Sequence, residues 1–309
     1  MVRDALIGLA VGDALGVPVE FKSRDILKSS PITDMIGFGT HQQPAGTWSD
    51  DSSLAFCLAE CLIKGYSPAL MGDLFVKWLY SAHWTPHGNI FDVGISTSQS
   101  IKRIKDGCPA EIAGGIDEED NGNGSLMRIL PLVFYILDKP IEERFQLTKE
   151  VSSVTHAHIR SVIACFYYLE FARLIIKGES KEFAYKEMKT KIPGFLKSHE
   201  IAEKEIGLFH RLLDGEIDSL QEDKIYSSGY VLHTLEASIW CLLTTDSYSA
   251  AVLKSVNLGS DTDTTGAVTG GLAGIVYGYD NIPGDWVLKL SRVNEVLKLA
   301  DDLANSLAV

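Results

Sequence analysis

The 309-residue sequence predicts an all-α fold on three observations. No stretch shows regularly spaced alternating strands, and no alternation of strand and helix patterns is present. Helix punctuation is frequent, as at Gly65, a stop, and Ser67-Pro68, a cap followed by a first-turn proline. Glycines recur every four residues in two segments, at Gly8, Gly12 and Gly16 and again at Gly266, Gly270 and Gly274. That spacing lays a stripe without side chains along one helix face. Each such glycine weakens a helix interior by roughly 1 kcal/mol relative to alanine, so a close backbone neighbour is expected on each stripe. The reading is one domain over residues 1–309, built from about a dozen helices of ordinary length.

Taken in order, residues 2–16 read as the first helix, closed by Pro18, with Glu20 following in a loop. The two glycine-striped helices are expected to pack against each other. Residues 22–46 are rich in Ser, Pro, Thr and Gly and read as loop. A helix follows to Gly65, capped by Ser49 or Asp50. Its start, Ser49-Asp50-Asp51-Ser52-Ser53, carries more polar groups than a cap requires. Pro68 opens a helix to about Tyr80. His83 and His87 are separated by Pro86, lack an HExxH pattern and read as loop or surface histidines.

The stretch from Ala113 to Arg128 is glycine-rich and acidic and precedes an apolar run. A loop of that kind ahead of a helix can offer backbone N–H groups to an anion, although neither a P-loop nor a dinucleotide fingerprint is present; a flexible acidic loop is the alternative. Thr155-His156-Ala157-His158 lies between two helices, with the two imidazoles directed to opposite sides. Residues 179–223 alternate charge at helical spacing and read as peripheral solvated helices broken at Pro193-Gly194. A helix over residues 230–243, one capped by Asp246, and a turn at Asn281-Ile282-Pro283-Gly284 lead to the last helices. Between them, Asp261, Asp263 and Thr264 read as a loop feeding a helix that starts near Thr264.

The composition, 46% hydrophobic and 22% charged, is that of a soluble protein with ample core material. A net charge of −13 argues against broad binding to nucleic acid or to an anionic membrane. Five cysteines without a CxxC pair indicate buried reduced thiols. Asp4 and Asp13 interrupt the apolar N-terminal stretch, which makes it a poor signal peptide, and the expectation is a cytoplasmic monomer.

Gathering Asp50, Asp51, Asp261 and Asp263 without a counter-ion would be unfavourable, because two like charges 4 Å apart repel by roughly 4 kcal/mol at an effective dielectric of 20. Hard oxygen donors with no cysteine and no clear histidine suit Mg²⁺ or Mn²⁺ better than zinc. Ordinary capping loops are the alternative reading of the same residues.

The segments GLAVGDALGVPVEF, GTWSDDSSLAFCLAECL, NGNGSLMRILPL, THAH and NLGSDTDTTGAVTGGLAGIVYG together resemble the ADP-ribosylglycohydrolases, in that family's order and across nearly the whole chain. The resemblance implies an all-α fold with two Mg²⁺ or Mn²⁺ ions in a cleft, held by Ser49, Asp50, Asp51, Asp261, Asp263 and Thr264. Ser49 and Ser52 stand where threonine is commoner in the family, and each keeps its hydroxyl. The implied enzyme is a hydrolase that cleaves the glycosidic bond between ADP-ribose and a protein side chain, most readily arginine. Asp92 and Glu20 match acidic positions with acid–base roles. Asn121, Gly122, Asn123, Gly124 and Ser125 match an ADP-ribose-binding segment, and His156 a substrate-orienting histidine. The expected partner is an ADP-ribosylated protein or a small molecule containing ADP-ribose. Three alternatives stand beside this: another linkage such as serine, a non-catalytic ADP-ribose-binding or crystallin-like member, and an aspartyl-phosphate phosphatase suggested by DxDxT at Asp261.

Overall fold

Residues 1–307 are described by the computed structural model. The chain begins with α1 (Val2–Gly16), which is buried along almost its whole circumference. A helix without a wet face belongs in the middle of a core, and its sequence, apolar apart from Arg3, Asp4 and Asp13, permits that position. The 22–46 loop contains a short helix, α2 (Arg24–Ser29), whose cap Ser23 accepts the Ile26 amide. Arg24 fixes it by donating to the carbonyls of Leu258, Glu222 and Ile225. This helix departs from the loop expectation, because six residues are too few to show a period.

Next come α3 (Asp50–Ile63), capped by Ser49, and α4 (Pro68–Ser81), capped by Ser67. After α5 (Ile95–Lys105), the glycine-rich stretch passes through successive turns before the short α6 (Leu132–Ile136). It therefore does not feed a helix N-terminus directly. Helices α7 (Ile141–Ser153) and α8 (Ile159–Ile176) flank the Thr155–His158 corner, where His158 caps α8 by accepting the Arg160 amide.

Helix α9 (Lys181–Ser198) runs through Pro193 instead of stopping there. Ile192 and Leu196 are buried on either side of the proline, and that packing carries the helix past the missing N–H. Then follow α10 (Glu203–Leu208), α11 (His210–Leu213) and α12 (Val231–Leu243). The cap of α13 (Tyr248–Val256) is Ser247, which accepts the Ala250 amide, and not the expected Asp246. The chain ends with α14 (Thr262–Tyr277), α15 (Gly284–Lys289) and α16 (Val293–Leu307). Among the described residues there are sixteen α-helices, several of one or two turns, and only three isolated β-bridges. None of these helices is long and apolar enough to cross a membrane.

The apolar core is one connected cluster with α1 and α14 at its centre. The two glycine stripes face each other in antiparallel register: Gly8 lies against Gly270 and Gly274, Gly12 against Gly266, and Gly16 against Asp263. A Cβ on Gly12 would overlap the Gly266 carbonyl, and one on Gly274 the Asp4 carbonyl. Backbone cannot yield as a flexible side chain does, so alanine is excluded at these positions. Thr262 Oγ1 of α14 locks the pair by donating to the Gly16 carbonyl at 2.8 Å, and Tyr248 Oη ties α13 to α1 by donating to the Gly8 carbonyl at 2.7 Å. The register brings the C-terminal end of α1 to the N-terminal end of α14.

Candidate active site

Three chain segments meet where α1 ends and α14 begins. Asp13, within α1 and fully buried, accepts the backbone N–H of Ser49 at 2.9 Å, that of Ser52 at 3.0 Å and the Ser52 hydroxyl at 2.5 Å. It thereby holds the N-terminus of α3 against α1, where the helix dipole favours a carboxylate. Ser49 spends its hydroxyl as the cap, accepting the Asp51 amide at 3.2 Å. Asp50 and Asp51 fill the first turn and are buried.

Helix α14 starts two residues earlier than its sequence suggested, with Asp261 at the cap and Asp263 in the first turn. A cap residue lies outside helical geometry, so its side chain is not bound to the helical spacing, and both carboxylates reach one place. Oxygens of Asp261, Asp263 and Glu20 lie within 4.8 Å of one another. Thr264 Oγ1 approaches Asp51 Oδ1 at 3.4 Å, which joins the two helix starts.

The fit to a cation can be tested atom by atom. Asp261 Oδ2 accepts from Asn123 at 2.8 Å and Asp263 Oδ1 from the Thr264 amide at 2.9 Å. Their other oxygens, Asp261 Oδ1 and Asp263 Oδ2, and also Asp51 Oδ2, are buried with no hydrogen-bond donor. Buried unpartnered carboxylate oxygens are destabilising unless a positive charge lies among them. Burial and the mutual repulsion of the carboxylates hold Asp50, Asp51 and Asp263 well above the usual carboxylate range. Among the described residues no lysine or arginine pairs with these four aspartates. The donor set is oxygen only, which suits Mg²⁺ or Mn²⁺.

Glu20, a loop carboxylate by its sequence alone, is only 4% exposed. Burial first, then the charges of Asp92, Asp261 and Asp50, push it up to about 10. Its Oε2 is hydrogen-bonded to Nε2 of His41, and His41 is also within 4.8 Å of Asp92. Asp92 takes a left-handed backbone conformation at φ +50°, uncommon for a residue with a side chain. Such strain of about 1–3 kcal/mol is found where surroundings impose a position.

Glu20, Asp50, Asp51, Asp92 and Asp261 line a cleft of about 290 Å³. Gly122, Asn123, Gly124 and His156 line it as well. His156 is 2% exposed, its Nδ1 bonds to Thr155 Oγ1 at 2.8 Å, and burial pushes the imidazole down to about 3, so the ring is neutral near pH 7. Two members of the glycine-rich segment face elsewhere. The Asn121 side chain accepts from Ser161 and donates to the Glu118 carbonyl, and the Ser125 hydroxyl bonds to Ser152 and Cys165. Both brace the loop from behind. His83 pairs with Glu60, and His87 with Thr47, away from the cleft.

Two members of the site were missed in the sequence. His41 sits alone in an irregular loop with no signal at all. Asp13 had one: a charge in the middle of an otherwise apolar helix. The DxDxT alternative loses its support, since no β-strand precedes Asp261.

A sequence model described as ADP-ribosylglycohydrolase matches residues 1–309. The chain is 33% identical over 304 residues to the ADP-ribosylarginine hydrolase Tri1 of Serratia proteamaculans, a match covering 97% of this chain and 78% of that protein. It is 30% identical over 291 residues to the ADP-ribosyl-[dinitrogen reductase] glycohydrolase of Rhodospirillum rubrum, covering 93% and 88%. A solved structure titled ADP-ribosylglycohydrolase-related protein complex superposes with a TM-score of 0.81 at 30% identity, covering 99% of this chain and 97% of that one.

Proposed function

The chain belongs to the ADP-ribosylglycohydrolase family, and on that premise we propose that it is a divalent-metal-dependent hydrolase releasing ADP-ribose from modified arginine side chains of a protein. The observation that carries the metal requirement is the set of three buried, donor-free oxygens on Asp51, Asp261 and Asp263. Support for arginine comes from the relative named as an ADP-ribosylarginine hydrolase.

Asp50, Asp51, Asp261 and Asp263, with the hydroxyls of Ser49 and Thr264, would hold two Mg²⁺ or Mn²⁺ ions. When bound, such ions supply positive charge that favours ionised oxygens at neutral pH and orients a diol and a water. The remaining work falls to the protein. Asn123 fixes Asp261 through one oxygen and leaves the other free. Asp13 sets the position of Asp50 and Asp51 through the α3 backbone.

Hydrolysis joins a water oxygen to the anomeric carbon and breaks that carbon's bond to the guanidinium nitrogen. The water's proton must pass to a base, and the departing guanidine must take one up. Glu20 and Asp92 lie at the cleft wall for this, and Glu20 Oε2 is hydrogen-bonded to Nε2 of His41. Neutral His156 orients substrate as donor or acceptor without adding charge. Arginine-linked and serine-linked ADP-ribosyl proteins offered side by side test the acceptor. Faster release from arginine is expected, whereas release from serine alone would overturn that assignment and keep the reaction class.

A further inference from the structure

Residues 38–43 form a tight turn folded against the segment that carries Glu20. Phe38, Gly39 and Gln42 all take left-handed backbone conformations, at φ +66°, +61° and +55°. For the phenylalanine and the glutamine this is strained, and such strain persists only where the surroundings impose it. The Phe38 amide closes the turn by donating to the Gln43 carbonyl at 2.5 Å, and the Gln42 side chain donates to the Gly39 carbonyl at 2.5 Å. Two contacts fasten the turn beside Glu20. Thr40 Oγ1 donates to the Glu20 carbonyl at 2.7 Å, and Gly39 lies so close to Pro18 that a Cβ on it would overlap the Pro18 carbonyl. Burial does not offset the strain, because Phe38 is 62% exposed and Gln42 is exposed as well. The turn carries His41 inward, leaving 13% of its side chain accessible.

The imidazole packs beside the rings of Phe21 and Phe91, with centroids 6.0 and 5.2 Å away, and its Nε2 is hydrogen-bonded to Glu20 Oε2. Among the described residues no other side chain bonds to the Glu20 carboxyl, and no lysine or arginine pairs with Glu20 or Asp92. Glu20 stands at a fork. Its carboxyl lies within 4.8 Å of His41 and Asp92, and also within 4.8 Å of Asp261 and Asp263. A side chain with three torsions and carboxylates on two sides has no single place of its own, since like charges disfavour both. The His41 bond selects the side of Asp92. It leaves Oε1 without a partner among the described residues, on a side chain that lines the cleft. An acid–base group works only within hydrogen-bond reach of the proton it moves, so its placement matters as much as its identity. An apolar ring would fill the space beside Phe21 and Phe91 equally well, and packing therefore does not account for the nitrogen.

We propose that His41 is a positioning residue for the reaction: through Nε2 it holds the Glu20 carboxyl on the Asp92 side of the cleft, and the turn over residues 38–43 is the strap that holds His41. The role rests on the hydrolase reading above. It does not depend on which of the two partners carries the shared proton. His41 is absent from the residues that line the cleft and acts through Glu20.

The test measures kcat and KM for release of ADP-ribose from an arginine-ADP-ribosylated protein by the wild type, His41→Phe, His41→Gln, Glu20→Gln and the double variant His41→Phe/Glu20→Gln. Melting curves and Mn²⁺ titration check the fold and the acidic cluster. His41→Phe keeps a ring beside Phe21 and Phe91 and removes the hydrogen bond. His41→Gln removes the ring and keeps an amide that can donate or accept. His41→Phe is expected to lower kcat by about tenfold or more, a part of the roughly 100- to 10,000-fold that a placed acid–base group supplies, with KM and Mn²⁺ affinity within about twofold. His41→Gln should keep most of kcat. In the Glu20→Gln background His41→Phe should lower kcat by about twofold at most, because a residue that acts through Glu20 has no acid–base group left to place. A packing role predicts the reverse order, with His41→Phe near the wild type and His41→Gln impaired, and that order would overturn the proposal. Equal losses from His41→Phe in both backgrounds would overturn it too. If Glu20→Gln shows no turnover, the order of His41→Phe and His41→Gln decides alone. If His41→Phe does not fold, His41→Gln decides: a loss as large as that of Glu20→Gln overturns the assignment, and a kcat near the wild type supports it. No release by the wild type from arginine or serine linkages would remove the hydrolase reading and this role together, whereas wild-type release with the packing order removes the role alone.

Discussion

Asp51 Oδ2, Asp261 Oδ1 and Asp263 Oδ2 are the atoms on which a cation would act, and Asp13 is the residue that places one of the two helix starts bearing them. Groups behind metal ligands typically change affinity by roughly 10–100-fold when altered. Asp13→Asn is therefore expected to weaken Mn²⁺ binding by about that factor, as read by isothermal titration; unchanged affinity would remove Asp13 from the site. The raised carboxyls also set a pH trend. Asp13 is pushed up to about 6 and Glu20 to about 10 by burial, whereas unfolded carboxylates titrate near about 4. The folded state then holds more protons than the unfolded state, so in chelator stability falls as pH rises through that window. Melting temperature in chelator should be higher at pH 5.5 than at pH 8, and added Mg²⁺ should raise it more at pH 8. The opposite slope in chelator would contradict the cluster as described. At this scale the sequence was most legible where polar residues exceeded what a cap needs, as at Ser49–Ser53. His41 was not legible, because its partner Glu20 lies 21 positions away and only tertiary folding joins them.

At the scale of elements, the pairing of α1 with α14 was legible, since glycine every four residues on two apolar helices has no other economical use. The start of α14 was misread: Asp261 and Asp263 look incompatible with one face until the first is recognised as a cap outside the helix. Pro193 and the short α2 show the complementary limit, where packing of Ile192 and Leu196, or the anchoring of Arg24, overrides local propensity. Gly12→Ala tests the pairing. Alanine is better than glycine in a helix by about 1 kcal/mol, yet its Cβ would meet the Gly266 carbonyl. Overpacking in a core costs about 1–3 kcal/mol, and here backbone would have to move, which puts the cost at the top of that range, so a net loss of about 2 kcal/mol is expected in urea denaturation. Stabilisation by Gly12→Ala would mean that the two helices are not in contact.

Over the whole molecule, one connected core fixes three distant stretches, near residues 13–20, 49–52 and 261–264, around a single acidic cluster. With a net charge of −13, the protein surrounds that cluster with a field that attracts cations and disfavours free anions. A ligand that binds only the folded state at 100 times its dissociation constant adds about 2.7 kcal/mol of stability. Saturating Mn²⁺ should therefore raise the melting temperature of the wild type and leave Asp261→Asn nearly unmoved. The fold class and the family resemblance were legible because their signals are distributed along the chain, whereas which carboxylate oxygens end up buried without a donor depends on tertiary packing. The most direct test of the account is release of ADP-ribose from an arginine-ADP-ribosylated protein with Mg²⁺ or Mn²⁺, with chelator, and with Asp261→Asn. The account predicts release that requires the ion and falls by at least about 100-fold in the variant, roughly 2.7 kcal/mol of transition-state stabilisation. Release that persists in chelator, or in Asp261→Asn at the wild-type rate, would contradict it.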